Sequence, residues 1–265
     1  MAGAPPGRWY GSRVRKRIDI LLVERGLFDS RARARAAIEA GKVRVGGRPV
    51  GRPSEMVEAE AEILAEAAHP WVGRAALKLV AALERWPVVV EGRRVLDIGA
   101  STGGFSEVCL HRGAARVHAV DVGRGQLHPR VAQNDRLVEL SGRDARGLTI
   151  EDLDAAPDLV VCDVSFISAT KALPAALALA RPGADLILLV KPQFEAGREA
   201  VGKGGLVTDP QARADALAAV SAWLEASGWS VRDTADSPIT GGDGNHEYLL
   251  WAVRETGTEP RQSTT

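Results

Sequence analysis

A glycine-rich turn directly after a short apolar strand is the local pattern of this sequence best suited to holding a ligand. The run Gly99-Ala-Ser-Thr-Gly103-Gly104-Phe105 follows a strand predicted over residues 94–98 and opens a predicted helix. Glycines permit a tight turn and let a ligand approach the backbone closely. The run lacks the glycine spacing of a dinucleotide-binding motif, and no Gly-Lys-Ser/Thr follows it. These absences disfavour dinucleotide and P-loop sites and leave a turn that can wrap another ligand.

Three aspartates stand at successive predicted strands beside this turn. Asp97 lies in the strand before the turn, Asp121 ends the next strand, over 116–121, and Asp144 follows the third, over 137–140. Ligands of open α/β sheets bind beyond the carboxyl ends of the strands, where a carboxylate can accept both hydroxyls of a ribose. A single aspartate after a strand more often serves only its turn. Three of them at successive strands favour a cofactor that contains a nucleoside.

Two later strand ends carry charges that could do chemistry. Asp163 follows a strand predicted over 159–162, and Lys191 follows one predicted over 185–190. Both residues are therefore expected to point into the crevice that the cofactor would occupy. A lysine in that place, directly after a run of apolar residues, can serve as a base.

A regular alternation of strands and helices would position these residues. It predicts an α/β domain with a doubly wound, mostly parallel sheet, whose strands are apolar throughout because helices cover both faces. The strands are predicted over 94–98, 116–121, 137–140, 159–162, 185–190, 229–234 and 246–253. The helices are predicted over 74–86, 104–112, 127–133, 168–181 and 209–227.

A small basic block precedes this domain. Residues 1–52 contain 13 Lys and Arg but only 4 Asp and Glu, whereas the whole chain has 34 of each kind. The block is predicted to hold a helix ending at Gly26, a second helix over 31–40, a hairpin over 42–50 and a strand over 61–64. An excess of positive charge on one module indicates a polyanionic partner or, equally well from charge alone, a solvated basic face.

The glycine-rich turn and the charged strand ends resemble those of class I methyltransferases. The pattern Asp-x-Gly-x-x-x-Gly-Gly is similar to the turn that binds S-adenosyl-L-methionine in that class. The resemblance implies a Rossmann-like methyltransferase fold. It implies a cofactor site made of Asp97, Gly99, Ser101, Thr102, Gly103, Gly104, Phe105, Asp121 and Asp144.

Four charged residues resemble the catalytic Lys-Asp-Lys-Glu tetrad of FtsJ-type ribose 2′-O-methyltransferases. They are Lys78 on the helix before the first large-domain strand, Asp163, Lys191, and Glu247 on the last predicted strand. A ribose hydroxyl is a poor nucleophile, so it must lose its proton while it is held in line with the methyl donor. The resemblance implies that Lys191 is the base or steers the hydroxyl, that Asp163 and Glu247 orient the two lysines, and that Lys78 completes the network. It implies no metal.

The basic block resembles the RNA-binding domain named after ribosomal protein S4, a small α+β module. The segments that carry the resemblance begin at Arg17-Ile-Asp, Ser30-Arg31-Ala-Arg and Lys42-Val-Arg-Val. Such modules contact phosphates and RNA shape through basic side chains. The implied contacts to RNA are Arg17, Arg31, Arg33, Lys42 and Arg44.

The two resemblances together identify the chain as similar to the TlyA (haemolysin A) family. They imply an RNA-binding domain over 15–68, a linker over 69–74 and a methyltransferase domain over 75–254. They also imply methylation of the 2′-hydroxyl of a cytidine in ribosomal RNA, with ribosomal RNA or ribosomal subunits as the partner. Two alternatives remain, namely a 2′-O-methyltransferase for another RNA such as tRNA and a ribosome-assembly RNA-binding protein without activity.

Several classes of protein are disfavoured by composition. No apolar run approaches the length of about 20 residues that spans a bilayer, which disfavours a membrane partner and a pore-forming haemolysin. The first residues lack the apolar core of a signal peptide, so a cytoplasmic location is expected. Cys109 and Cys162 lie in apolar segments without metal-ligand spacing, and we expect buried thiols.

Overall fold

The computed structural model describes residues 14–256 and divides the chain between Pro70 and Trp71 into two compact units. The predicted linker over 69–74 spans this division. Its residues from Trp71 onward belong to the second unit, where Val72 is buried and its backbone N–H donates to Glu107 Oε2 at 2.7 Å. None of the helices within the described range is both long enough and apolar enough to cross a membrane.

The first unit is a small α+β domain, as predicted. Its elements are β1 (Arg15–Arg17), α1 (Ile18–Glu24), α2 (Arg31–Glu39), β2 (Val43–Val45), β3 (Arg48–Pro49), β4 (Met56–Glu58) and β5 (Ile63–Ala65). The strands form an antiparallel pair, β1 with β4, and a three-stranded sheet in the order β3-β2-β5. Apolar residues of both helices, among them Leu22 and Ile38, are buried against Val43 of β2 and Val57 of β4.

One local feature confirms the predicted start of the second helix, whereas two strands of this unit were not predicted. Ser30 caps α2, because its side chain accepts a hydrogen bond from the backbone N–H of Arg33. Strand β1 was not predicted, since its sequence Arg-Lys-Arg has no apolar residue to reveal an alternating pattern. Strand β4, its antiparallel partner, was missed as well.

The second unit has the predicted α/β architecture, that of a class I methyltransferase. Its helices are α3 (Ala75–Arg85), α4 (Gly104–His111), α5 (Pro129–Ala132), α6 (Ala169–Ala172), α7 (Pro174–Leu179), α8 (Pro192–Glu195) and α9 (Pro210–Ala226). Its strands are β6 (Arg94–Ile98), β7 (Arg116–Asp121), β8 (Leu137–Ser141), β9 (Leu159–Cys162), β10 (Asp185–Val190), β11 (Trp229–Asp236) and β12 (Tyr248–Arg254). They form one sheet in the order β11-β12-β10-β9-β6-β7-β8.

Helices on both faces bury the central strands completely. The pairs from β10 to β8 are parallel, whereas β12 is antiparallel to both β10 and β11. One apolar core lies on each side of the sheet. Cys109 and Cys162 are buried in these cores, as their apolar surroundings predicted. The parallel arrangement brings the carboxyl ends of β6, β7, β9 and β10 to one edge.

Two predicted elements need correction. The helix predicted over 168–181 is two helices, because Pro174 begins α7 and cannot continue α6. Glu247 does not lie on the last strand as predicted, since β12 begins one residue later, at Tyr248. Glu247 ends the loop that follows β11, and Asn245 within that loop is buried with its side chain bonded to residues 205 and 207.

Candidate active site and cofactor cavity

A cavity of about 660 Å³ opens at the carboxyl edge of the sheet. Residues after β6, β7, β8 and β9 line it, as expected for a ligand site in an open α/β fold. Its lining comprises Ile98, Gly99, Ser101, Val120, Asp121, Val122, Gly123, Gln126, Arg143, Asp144, Ala145, Arg146, Asp163, Val164, Ser165, Phe166, Ile167 and Ala172.

The glycine-rich turn forms one wall of this cavity, and its shape depends on Gly99. Gly99 has a φ of +82°, which side chains disfavour, and a Cβ there would lie 2.9 Å from the backbone oxygen of Asp163. Ser101, also at a positive φ of 47°, donates its backbone N–H to Asp121 Oδ2 at 2.8 Å. The turn is therefore packed against Asp163 at the end of β9 and hydrogen-bonded to Asp121 at the end of β7.

Asp121 and Asp144 both line the cavity. Besides the bond from Ser101, Asp121 accepts the backbone N–H of Gly123 on Oδ1 at 2.7 Å. Two carboxylate oxygens offer about four acceptor positions, so Asp121 retains capacity for ligand hydroxyls. Asp144 pairs with Arg146 at 2.6 Å, and the hydrogen bonds from Arg146 lower the pKa of Asp144 to about 2. Both side chains therefore offer oxygen acceptors to the cavity.

The other predicted cofactor residues do not line the cavity. They are Asp97, Thr102, Gly103, Gly104 and Phe105. Phe105 is buried in the apolar core, and Gly103 and Gly104 form the close-packed start of α4.

Asp97 is fully buried behind the turn. Ser106 Oγ donates to its Oδ2 at 2.6 Å, and Oδ1 has no hydrogen-bond partner within residues 14–256. Burial raises the pKa of this carboxyl to about 7.

The four residues of the predicted tetrad form two ion pairs. Lys78 Nζ on α3 lies 2.5 Å from Glu247 Oε2, and Lys191 Nζ lies 2.6 Å from Asp163 Oδ1. Lys191 Nζ also donates to Ser165 Oγ at 2.7 Å. All four side chains are largely buried. Dissolved salt therefore weakens these two ion pairs less than it weakens ion pairs at the surface.

Strand register places the two ion pairs next to each other. In the antiparallel ladder of β10 and β12, Val190 lies opposite Tyr248, so Lys191 and Glu247 hold the next opposed positions. In the parallel ladder of β6 and β9, Ile98 lies beside Cys162, so Gly99 and Asp163 follow side by side. The sheet thereby arranges Asp163, Lys191 and Glu247 along the edge that begins at the glycine-rich turn, and Lys78 reaches Glu247 from α3.

Phe166 and Ser165 line the cavity but were not predicted as site residues. Phe166 is 91% exposed and has a φ of +67°, a combination that is unfavourable for an aromatic residue. The centre of its ring lies 5.4 Å from that of Phe194. Phe194 is on α8, the helix that begins directly after Lys191. Backbone strain of this kind concentrates at functional sites. Nothing in the local sequence Asp-Val-Ser-Phe signals an exposed, left-handed phenylalanine.

The predicted RNA contacts all lie in the first unit, where the structure brings only two of them together. Arg17 and Arg31 both bind the buried carboxylate of Asp19. The other three have separate partners: Arg33 pairs with Asp29, Lys42 pairs with Glu66, and Arg44 donates to the backbone oxygen of Gly47.

Comparison with known proteins agrees with both units. The FtsJ-like methyltransferase family matches residues 71–254, and the S4 domain family matches residues 16–63. The 16S/23S rRNA (cytidine-2′-O)-methyltransferase TlyA of Mycobacterium tuberculosis is 47% identical over 244 residues, which cover 91% of each chain. Hemolysin A of Brachyspira hyodysenteriae is 36% identical over 234 residues, covering 88% of this chain and 98% of the relative.

A solved structure extends the agreement to three dimensions. A Streptococcus thermophilus protein matches with a TM-score of 0.73 and 35% identity, over 96% of this chain and 93% of the other. Identity at this level over nearly the whole length, with both family matches in the same order, shows common descent. The chain therefore belongs to the TlyA (haemolysin A) family of FtsJ-like methyltransferases.

Proposed function

We propose that this chain transfers a methyl group from S-adenosylmethionine to the ribose 2′-hydroxyl of a cytidine in ribosomal RNA. It is an S-adenosylmethionine-dependent methyltransferase by family, and its relatives are named for cytidine 2′-O-methylation of ribosomal RNA. The observation that carries the proposal is the presence of two buried ion pairs, Lys78 with Glu247 and Lys191 with Asp163, of which Asp163 lines the cavity.

The residues around the cavity fit S-adenosylmethionine. Gly99 lines the cavity, and it can pack this closely against the backbone at Asp163 only because it has no side chain. The turn over 99–101 would hold the amino-acid end, Asp121 the ribose hydroxyls and Asp144 the adenine amino group. When bound, the cofactor supplies an electrophilic methyl group on its sulfonium centre.

The tetrad would prepare the ribose hydroxyl for attack. Lys191 Nζ would hold the hydroxyl and accept or steer its proton, while Asp163 and Ser165 fix the position of that nitrogen. Glu247 and Lys78 would form the second charged pair at the same edge of the sheet. The exposed ring of Phe166 offers an apolar surface beside the site for the attached base. These groups position the reactants and need no covalent enzyme intermediate.

The test is methyl transfer from isotopically labelled S-adenosylmethionine to ribosomal subunits from a strain that lacks this enzyme, with tRNA from the same strain in parallel. We expect label in ribosomal RNA, recovered as 2′-O-methylcytidine after nuclease digestion and mass spectrometry. Label only in tRNA would replace the substrate with a tRNA. Absence of transfer to any RNA, with RNA still bound, would instead support an assembly factor.

Gly241 provides a test of the position of Glu247. A Cβ on Gly241 would lie 2.6 Å from Glu247 Oε1, yet the backbone at Gly241 is in a region that alanine adopts without strain. Gly241→Ala should therefore displace the carboxylate from Lys78 and lower the methyl-transfer rate by about 10- to 100-fold. The melting temperature has to be measured alongside the rate, because separating a buried ion pair is destabilising.

The neighbouring residue supplies the matched control for this experiment. A Cβ on Gly242 would meet no atom within 4 Å, so Gly242→Ala should retain the wild-type rate. If Gly241→Ala were as active as Gly242→Ala, the position of the Glu247 carboxylate would not matter for the reaction.

Arg31 provides a test of the RNA-binding unit. Arg31→Ala removes an exposed cation, so RNA affinity should fall by about fivefold at about 0.15 M salt, and the slope of log K against log salt should fall by about 0.9. Fluorescence anisotropy with labelled ribosomal RNA fragments over a salt series measures both quantities. Arg35→Ala is the control, since Arg35 is exposed one turn further along α2. Equal slopes for wild type and Arg31→Ala would show that Arg31 does not contact RNA.

A further inference from the structure

The loop that joins β9 to α6, residues 163–168, forms one wall of the cavity. Asp163, Ser165 and Phe166 of this loop all line it. The backbone N–H of Asp163 donates to the oxygen of Ile98 at 3.0 Å, which fixes the start of the loop. Between that bond and the first turn of α6, no backbone-to-backbone hydrogen bond is found among the described residues. The conformation of the 163–168 loop therefore depends on contacts that side chains make.

Phe166 gives this loop an unfavourable backbone conformation. Its φ of +67° lies in the left-handed region, which a bulky side chain rarely adopts, and its ring is exposed. A residue in such a conformation stays there only when the surrounding structure fixes it. Groups outside the 163–168 loop must therefore hold it in place.

Glu195, the last residue of α8, binds the end of this loop through both of its carboxylate oxygens. Its Oε2 accepts a hydrogen bond from Ser168 Oγ at 2.6 Å, and its Oε1 accepts the backbone N–H of Ala169 at 2.7 Å. A charged acceptor makes such bonds stronger than those between neutral groups. Because α8 begins directly after Lys191, Glu195 joins the end of the 163–168 loop to the segment that carries this lysine.

The same segment contacts the middle of the loop through Lys191 itself. Lys191 Nζ donates to Ser165 Oγ at 2.7 Å. Asp163 Oδ1 lies 2.6 Å from this nitrogen, yet it accepts no hydrogen bond from any of the described residues, since the two groups are not aligned for one. Asp163 therefore supplies charge, whereas Ser165 sets the direction of Lys191 Nζ. Any movement of Ser165 would turn this nitrogen.

We propose that Glu195 is a positioning residue for methyl transfer, which acts through the 163–168 loop. Its carboxylate holds the end of the loop against α8, and this keeps Ser165 within hydrogen-bond distance of Lys191 Nζ. The ring of Phe194, next to Glu195 in the chain, supports the same loop from its contact with Phe166. The inference rests on the proposed function, because it takes Lys191 as the group that acts on the ribose hydroxyl.

Replacement of Glu195 tests this role in the full-length protein. Glu195→Ala removes both bonds, so the single-turnover rate at saturating S-adenosylmethionine and ribosomal subunits should fall by about tenfold, as expected when reacting groups lose their alignment. Glu195→Gln keeps an oxygen for the N–H of Ala169 and an amide group for Ser168, so its rate should recover to within about threefold of wild type.

The matched control removes another glutamate from the same part of the chain. Glu199 is exposed and lies four residues beyond Glu195, so Glu199→Ala should retain the wild-type rate. A Glu195→Ala protein as active as Glu199→Ala would overturn the positioning role.

Combination with Ser165→Ala separates positioning from a general loss of stability. In the Ser165→Ala protein, Lys191 has already lost the partner that Glu195 keeps in place. Adding Glu195→Ala should then lower the rate by at most about threefold, because residues that act through one contact have non-additive effects. Equal fold-losses in the two backgrounds would show that Glu195 does not act through Ser165. If Glu195→Ala does not fold, Ser168→Ala removes one of the two bonds and should lower the rate by about threefold.

Hydrogen exchange distinguishes this inference from the proposed function. Methyl transfer by the wild-type enzyme tests the function without reference to Glu195. If wild type is active and Glu195→Ala keeps its full rate, only the positioning role is wrong. If wild type transfers no methyl group, the catalytic proposal fails, and mass spectrometry of amide exchange still tests the hold on the loop. Peptides that cover residues 163–172 should exchange faster in Glu195→Ala than in wild type, and unchanged exchange would overturn that hold.

Discussion

Replacing Lys191 by alanine is expected to lower the methyl-transfer rate by about 10²- to 10⁴-fold, the range contributed by a positioned proton acceptor. Lys191 Nζ sits between Asp163 and Ser165 at the cavity edge, and a methyl side chain cannot reach the substrate hydroxyl. The affinities for S-adenosylmethionine and for RNA should remain close to those of wild type, because the cofactor turn and the first unit are unchanged. Single-turnover methyl transfer, with calorimetric titration of the cofactor, measures the two effects separately.

The control for this variant must account for Asp163, whose carboxylate would be left buried without its lysine. Loss of one partner of a buried pair is destabilising, so the melting temperature of Lys191→Ala has to be measured alongside its rate. Lys171→Ala removes an exposed lysine from α6 and should retain full activity. A folded Lys191→Ala protein with wild-type single-turnover rates would exclude Lys191 from the reaction.

The sequence was sufficient to predict the sheet and to place Asp163 and Lys191 at strand ends, because these features depend on local patterns. Apolar runs followed by charged residues marked the strand ends, and parallel strands bring those ends to one edge. The sequence could not predict the pairing of Lys78 with Glu247, which are 169 residues apart and meet only because α3 packs near the start of β12. The family resemblance named these two residues, but not their contact.

The differences between prediction and structure have separate physical causes. Asp97 was predicted as a cofactor residue from the resemblance of its turn, and the structure places its carboxyl fully buried behind that turn, bonded to Ser106 on α4. Phe166 was missed because a positive φ in a phenylalanine depends on tertiary packing and has no sequence signature. The break between α6 and α7, by contrast, was predictable, since Pro174 is visible in the sequence.

Gly99→Ala is expected to weaken S-adenosylmethionine binding by more than about tenfold, because it alters the wall of the cavity itself. Alanine at a positive φ costs about 1–2 kcal/mol of backbone energy. In addition, its Cβ would lie 2.9 Å from the backbone oxygen of Asp163, which cannot move without shifting the end of β9. The turn must then open, which displaces both the cofactor site and Asp163, the partner of Lys191. Methyl transfer should fall at least as far as cofactor affinity.

Gly92→Ala separates the two causes of this effect. Gly92 has a similar φ of +72°, but a Cβ there would meet no atom within 4 Å. It should therefore lose about the same backbone energy, 1–2 kcal/mol, measured by chemical unfolding, while it binds the cofactor normally. The difference between the two variants in calorimetric cofactor affinity then separates the effect of altering the cofactor turn from that of a general loss of stability. Equal affinities would mean that the glycine at this turn is needed only for backbone conformation and that the strand end behind it does not shape the cofactor site.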